Sequence, residues 1–149
     1  MALSKTKKIG GILLVLFIGI QFYKVEVKTT DSHPDHDLLR TNPASKEIVS
    51  LLESACYDCH SDQTKFPWYN GIAPIQWWLA DHVNHGKKHL NFSAWGSYSA
   101  KKKQHKIDEC IEMLKAGEMP LNSYTWTHAD ARLSQEQVSA LVDWFGTVH

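Results

Sequence analysis

The sequence predicts an all-α fold: a small helical domain preceded by an N-terminal signal-anchor helix. Three observations predict it. Apolar residues recur at helical spacing, as in Ile48, Leu51, Leu52 and Ala55, in Ile107, Cys110, Ile111 and Leu114, and in Val138, Leu141, Val142 and Phe145. Cap and stop residues stand at the ends of these runs. No stretch alternates in the way a half-buried strand requires, and no internal repeat is visible.

The elements follow in order. Lys5, Lys7 and Lys8 precede an apolar run from Ile9 to Tyr23, broken only by three glycines and Gln21. A basic region followed by an apolar one is the pattern of an export signal. Gln21-Phe22-Tyr23-Lys24-Val25 offers no small-x-small cleavage site, which favours an uncleaved anchor over a removed signal peptide. The run is short for a span, which needs about 20 residues, although snorkelling lysines extend its reach. The three lysines place the N-terminus in the cytoplasm. The expectation is a single pass through a bacterial inner membrane, residues 1–23, with the rest facing the periplasm.

Residues 24–41 read as a flexible linker, polar and without apolar periodicity. His33 and His36 lie in it and read as part of a solvated tether. The ordered domain spans 42–149. Asn42-Pro43 opens a first helix, since Asn caps and Pro suits the first turn. A loop follows from Ser61 to Ala73. A second helix starts at Pro74, carries Trp77, Trp78, Leu79, His82 and Val83, and stops at Gly86. Leu90 to Tyr98 is aromatic and irregular. A third helix runs from about Ser99 to Ala116, ended by Gly117. Ser134 and Gln137 form a capping box for the last helix.

Formal charge is zero, with 16 basic and 16 acidic residues. Setting aside residues 1–23, which hold three lysines and no acid, leaves 13 basic and 16 acidic side chains, a net −3. Nucleic acid is excluded as a partner, because phosphate binding needs a basic surface. Lys101, Lys102, Lys103 and Lys106 form a local basic cluster. It reads as a solvated helix start or as a docking patch for an acidic redox partner.

One motif carries the chemistry. Cys56-Tyr57-Asp58-Cys59-His60 is the signature for covalent attachment of a c-type haem. Two thiols on one turn of chain can each add to a vinyl group of one porphyrin. The next residue, His60, then lies beneath the ring as the proximal iron ligand. A thioredoxin-like pair belongs beside a βαβ pattern, which is missing here. A zinc site needs two more close ligands, and Cys110 is the only other cysteine. Cys110 itself falls on the apolar face of its helix and reads as an inert buried thiol. The cofactor expected is one haem c held through Cys56 and Cys59.

For the distal side of the iron the first choice is Met119, in Gly117-Glu118-Met119-Pro120 after a helix, with His82 as the alternative. A His/Met pair raises the potential relative to bis-histidine. His85, His89 and His128 read as structural or surface residues. Six tryptophans suit either a core or a porphyrin lining.

The stretch from Ala55 to Trp95 resembles the bacterial haem-binding domain family of small c-type cytochromes. The words that carry the resemblance are Ala55-Cys56-Tyr57-Asp58-Cys59-His60-Ser61, Pro67-Trp68-Tyr69, Ile72-Ala73-Pro74, Trp77-Trp78-Leu79, His82-Val83, Gly86 and Leu90-Asn91-Phe92-Ser93-x-Trp95. Met119-Pro120, Tyr124, His128 and Ala131-x-Leu133-Ser134 extend it to about residues 40–147. The resemblance implies a single haem c carried outside the cytoplasm through Cys56, Cys59 and His60. Met-Pro before a last helix is also similar to class I cytochromes c, which supports Met119. The expected function is single-electron transfer between redox partner proteins in the periplasm, not enzyme catalysis. The alternatives are a haem peroxidase or gas sensor with an open distal site, in which His82 would serve as acid–base residue, and, more weakly, a non-haem metal or thiol-redox module.

Overall fold

Leu38, Leu52, Phe92, Trp95 and Leu141 are excluded from solvent, and helical segments far apart in sequence meet around them. The computed structural model describes residues 5–30 and 33–149. Residues 1–4 of the expected anchor, and Asp31 and Ser32 of the expected linker, lie outside the described residues.

Helices account for all the regular structure among the described residues. They are α1 (Lys5–Ile20), α2 (Leu38–Thr41), α3 (Lys46–Leu52), α4 (Asp58–His60), α5 (Ile75–His89), α6 (Ala100–Ala116), α7 (Asn122–Thr125) and α8 (Gln135–Phe145). A π-helical turn, Glu53–Tyr57, joins α3 to α4. The all-helical expectation holds. α6 packs on α8, α8 on α3, and α4 on α5.

The caps explain the boundaries. Ser134 and Gln137 form the expected capping box at the start of α8. Ser99 caps α6, and Gly117 ends it in the left-handed region at φ 68°. The first core helix is capped by Ser45, whose hydroxyl accepts from Ile48 N, and not by Asn42. α5 runs through Gly86 to His89 and does not stop at the glycine. The irregular stretch after it is a 3₁₀ turn, Phe92–Ser97, that is among the most buried parts of the chain.

The N-terminal segment requires a correction. α1 has 16 residues, about 24 Å at 1.5 Å per residue, against a hydrocarbon core of about 30 Å. Among the described residues no helix is long and apolar enough to cross a membrane. The expected single-pass inner-membrane anchor is therefore overturned. The physical reason lies at Gln21. Its side chain donates to Phe17 O and to Ala73 O and accepts from Ala73 N, which ends the helix and turns the chain onto the domain.

From there the chain runs extended along α5. Val25 exchanges backbone hydrogen bonds with the Gln76 amide. Asn84 accepts from Lys28 N at 2.8 Å and donates to Glu26 O at 2.9 Å. Trp77 Nε1 donates to Tyr23 O at 2.8 Å. Val25, Glu26 and Lys28, in a stretch whose polarity suggests a linker, thus carry backbone hydrogen bonds to side chains of α5, and Thr30 N donates to Asp62. Leu38, near the end of the same stretch, is fully buried in the core.

Candidate functional site

The Cys-x-x-Cys-His motif sits where α3 widens through its π turn into α4. Single π turns inside helices recur at functional sites. Ser61 closes the motif: its hydroxyl donates to Tyr57 O and accepts from Gln63 N. The two intervening residues each hold a tertiary contact. Tyr57 donates its hydroxyl to Asp37 Oδ1 at 2.8 Å. Asp58 accepts from Lys65 N through Oδ1 and from the Tyr124 hydroxyl through Oδ2, both at 2.8 Å.

The His60 ring is oriented by two backbone carbonyls. Its Nδ1 lies 3.1 Å from both Gly86 O and Leu90 O. Two carbonyl acceptors place the ring proton on Nδ1 and leave the Nε2 lone pair for a metal. Burial pushes the imidazole below its usual pKa, against the pull of the two carbonyls, so the ring is held neutral. The approach that permits this is made by Gly86. A Cβ there would lie 2.6 Å from Cys59 O. Lys87, on the next residue, pairs with Asp62 at 3.0 Å and pins α5 to the turn after the motif.

Cys56, Cys59 and Cys110 are free thiols. Burial, with the neighbouring Cys110 and Cys59, pushes Cys56 up to about 12. Burial and Asp58 push Cys59 up to about 11. Burial, then Glu109, pushes Cys110 up to about 12. A redox-active Cys-x-x-Cys pair requires the opposite, a lowered thiol pKa. Among the described residues no group of three or more His, Cys, Asp or Glu side chains gathers to hold a metal ion.

Two cavities flank the motif. One of about 420 Å³ is lined by Cys59, His60, His82, His85, Tyr124 and neighbours. The other, of about 240 Å³, is lined by Cys56, His60, Phe92, Cys110, Phe145 and neighbours. They meet at Ala55, His60, His89 and Met119. Together they lie in the size range of cofactor pockets, about 300–1,000 Å³. Both thiols, the free nitrogen of a neutral histidine and a thioether thus border one cleft. That donor set fits a covalently held haem.

Met119 is half-buried and lines both lobes. Its loop is fixed at the α6 end, where Glu118 N and Met119 N both point at Met113 O. His82 borders only the larger lobe, with its ring against Trp78 at 4.2 Å and Nδ1 on Trp78 O. His85 and His89 are exposed, with their rings tilted at 57° and 4.6 Å apart. Cys110 faces the smaller lobe.

No tryptophan lines either lobe; the aromatic walls are Phe92, Phe145 and Tyr124. Trp95 is the buried tryptophan, whereas Trp68 and Trp126 are exposed. The basic cluster is largely engaged within the domain: Lys102 sits over the Tyr98 ring, Lys103 over Trp95, and Lys106 on Glu109 at 2.6 Å.

Sequence reasoning missed the roles of Gly86, Asp58 and Tyr124. Gly86 left a signal, because a glycine inside a helical pattern marks close backbone approach as readily as a stop. Asp58 and Tyr124 left none, since a contact spanning 66 residues has no local pattern.

A helical domain with a ligand-ready histidine, two flanking thiols and a thioether around one cleft is the outline of a haem-binding protein. The family model described as a haem-binding domain matches residues 15–147, nearly the whole chain, and the chain belongs to that family. It binds haem. No curated protein matches the chain, and no solved structure matches it.

Proposed function

We propose that this haem-binding protein is a monohaem c-type cytochrome that passes single electrons outside the cytoplasm, where covalent haem attachment is completed. The observation that carries the reading is His60: neutral, aimed by two backbone carbonyls, and set beside two protonated thiols. Cys56 and Cys59 would hold the group covalently, each S–H adding across one vinyl bond. His60 Nε2 and the Met119 thioether would hold the iron. Met119 is preferred to His82 because it borders both lobes of the cleft, as His60 does. Bound there, haem supplies the one-electron couple of its iron. Phe92, Phe145 and Leu114 exclude water on one side. With both residues on the iron the group would pass an electron without binding a substrate, so the protein would serve as a carrier for redox partner proteins and not as an enzyme.

The test is carbon monoxide and peroxide challenge of the matured protein. The reading expects no carbon monoxide adduct of the reduced form and no peroxide turnover. Tight carbon monoxide binding or rapid turnover would overturn it. Either result would favour an open site with His82, beside Asp81 in the larger lobe, as its acid–base residue.

A further inference from the structure

Met119 reaches the cleft from a loop, and a loop holds a thioether against iron only if both of its ends are fixed. The α6 end is fixed by Gly117 and by the bonds to Met113 O. The other end is α7, and its anchor is Tyr124. The Tyr124 hydroxyl donates to Asp58 Oδ2 at 2.8 Å, and Ser54 O lies 3.1 Å from the same hydroxyl. Asp58 immediately precedes Cys59, so the contact lands on the Cys-x-x-Cys-His turn itself. The second carboxylate oxygen is held by Lys65 N, which fixes the acceptor in place. Behind the phenol, His128 stacks on the ring at 4.1 Å and 13°, with Nδ1 3.1 Å from Tyr124 O. The ring also borders the larger lobe.

We propose that Tyr124 is a positioning residue that locks the Met119-bearing loop onto the haem-attachment turn through Asp58. The two sides of the cleft are then one unit: the turn that carries Cys56, Cys59 and His60, and the loop that carries Met119. A hydrogen bond to a carboxylate is about twice as strong as a neutral one, and shielding from solvent strengthens it further. The residue five positions after Met119 therefore sets how firmly the thioether is presented. This inference rests on Met119 being the distal ligand only for its spectroscopic consequence; the mechanical link stands on its own geometry.

The experiment compares wild type, Tyr124→Phe, Asp58→Ala and the double variant as matured haem proteins. The first readout is amide hydrogen exchange over residues 117–125. The second is the charge-transfer band that marks sulfur–iron ligation. Tyr124→Phe should speed exchange in that segment by about tenfold, the size expected for one lost charge-assisted hydrogen bond, and weaken the band. The double variant should be no worse than the worse single one, because the two residues act as a pair. Unchanged exchange in Tyr124→Phe, or effects that simply add, would overturn the proposal. If wild type shows no band that Met119→Ala removes, the ligand assignment has failed; exchange in the 117–125 segment still decides the lock.

Discussion

Replacing Met119 by alanine is expected to abolish the sulfur–iron charge-transfer band and open the iron to exogenous ligands. The reduced variant should bind carbon monoxide stoichiometrically, where the wild type should bind none. Its reduction potential should fall, since loss of the thioether removes the ligand that raises it. The fold should survive. Met119 is half-buried in a loop outside the central cluster of buried side chains, and truncation there leaves the α3–α6–α8 packing untouched. Optical spectra and a redox titration check both expectations. An unchanged band would remove Met119 from the iron and make His82 the residue to replace next.

The second large effect is expected at Gly86. In an ordinary helix interior, Gly→Ala stabilises by about 1 kcal/mol through propensity. Here the new Cβ meets Cys59 O at 2.6 Å and Cys59 C at 3.2 Å. These are backbone atoms of the attachment turn, with no flexible side chain to swing away. Overpacking of this kind costs about 1–3 kcal/mol and forces backbone shifts. The shift moves α5 away from α4 and takes Gly86 O away from His60 Nδ1. Gly86→Ala should therefore lower the melting temperature by several degrees, at about 2–4 °C per kcal/mol, and weaken haem retention. Gly71→Ala is the control: nothing lies within 4 Å of its Cβ position, so it should melt with the wild type.

These two sites show what the sequence can and cannot express. The haem-binding class is legible because the Cys-x-x-Cys-His spacing is the one that would let two thiols and one imidazole reach one porphyrin. The core helices are legible because Ile107 and Leu114, or Leu141 and Phe145, bury one face of a 3.6-residue period. The path of residues 21–30 is hidden. Its anchors are polar side chains of α5, Gln76, Asn84 and Trp77, bonded to backbone, and no apolar period reports such pairing. The apolar N-terminal run suggests an anchor by composition, yet composition does not show where Gln21 ends the helix. Gly86 is ambiguous for a different reason. The same residue serves as a helix stop and as a place where two backbones touch, and only the neighbour across the contact decides between them.

The aromatic residues teach a related point. Six tryptophans invite a porphyrin-lining role, but the cleft is walled by Phe92, Phe145 and Tyr124. The position of an aromatic near the motif in space, not its size, determines whether it reaches the site. Phe92 reaches it because the 3₁₀ turn after α5 folds back beneath His60, with the two rings 6.1 Å apart.

The most direct test of the central claim is the mass of the denatured protein after expression with cytochrome c maturation machinery. The account predicts the polypeptide plus one haem, retained under denaturing conditions in wild type. It predicts retention to be lost when Cys56 and Cys59 are both replaced by alanine. A polypeptide of unmodified mass from a preparation that shows a Soret band before denaturation would contradict it. The protein would then hold haem without covalent attachment, and the Cys-x-x-Cys pair would need another role.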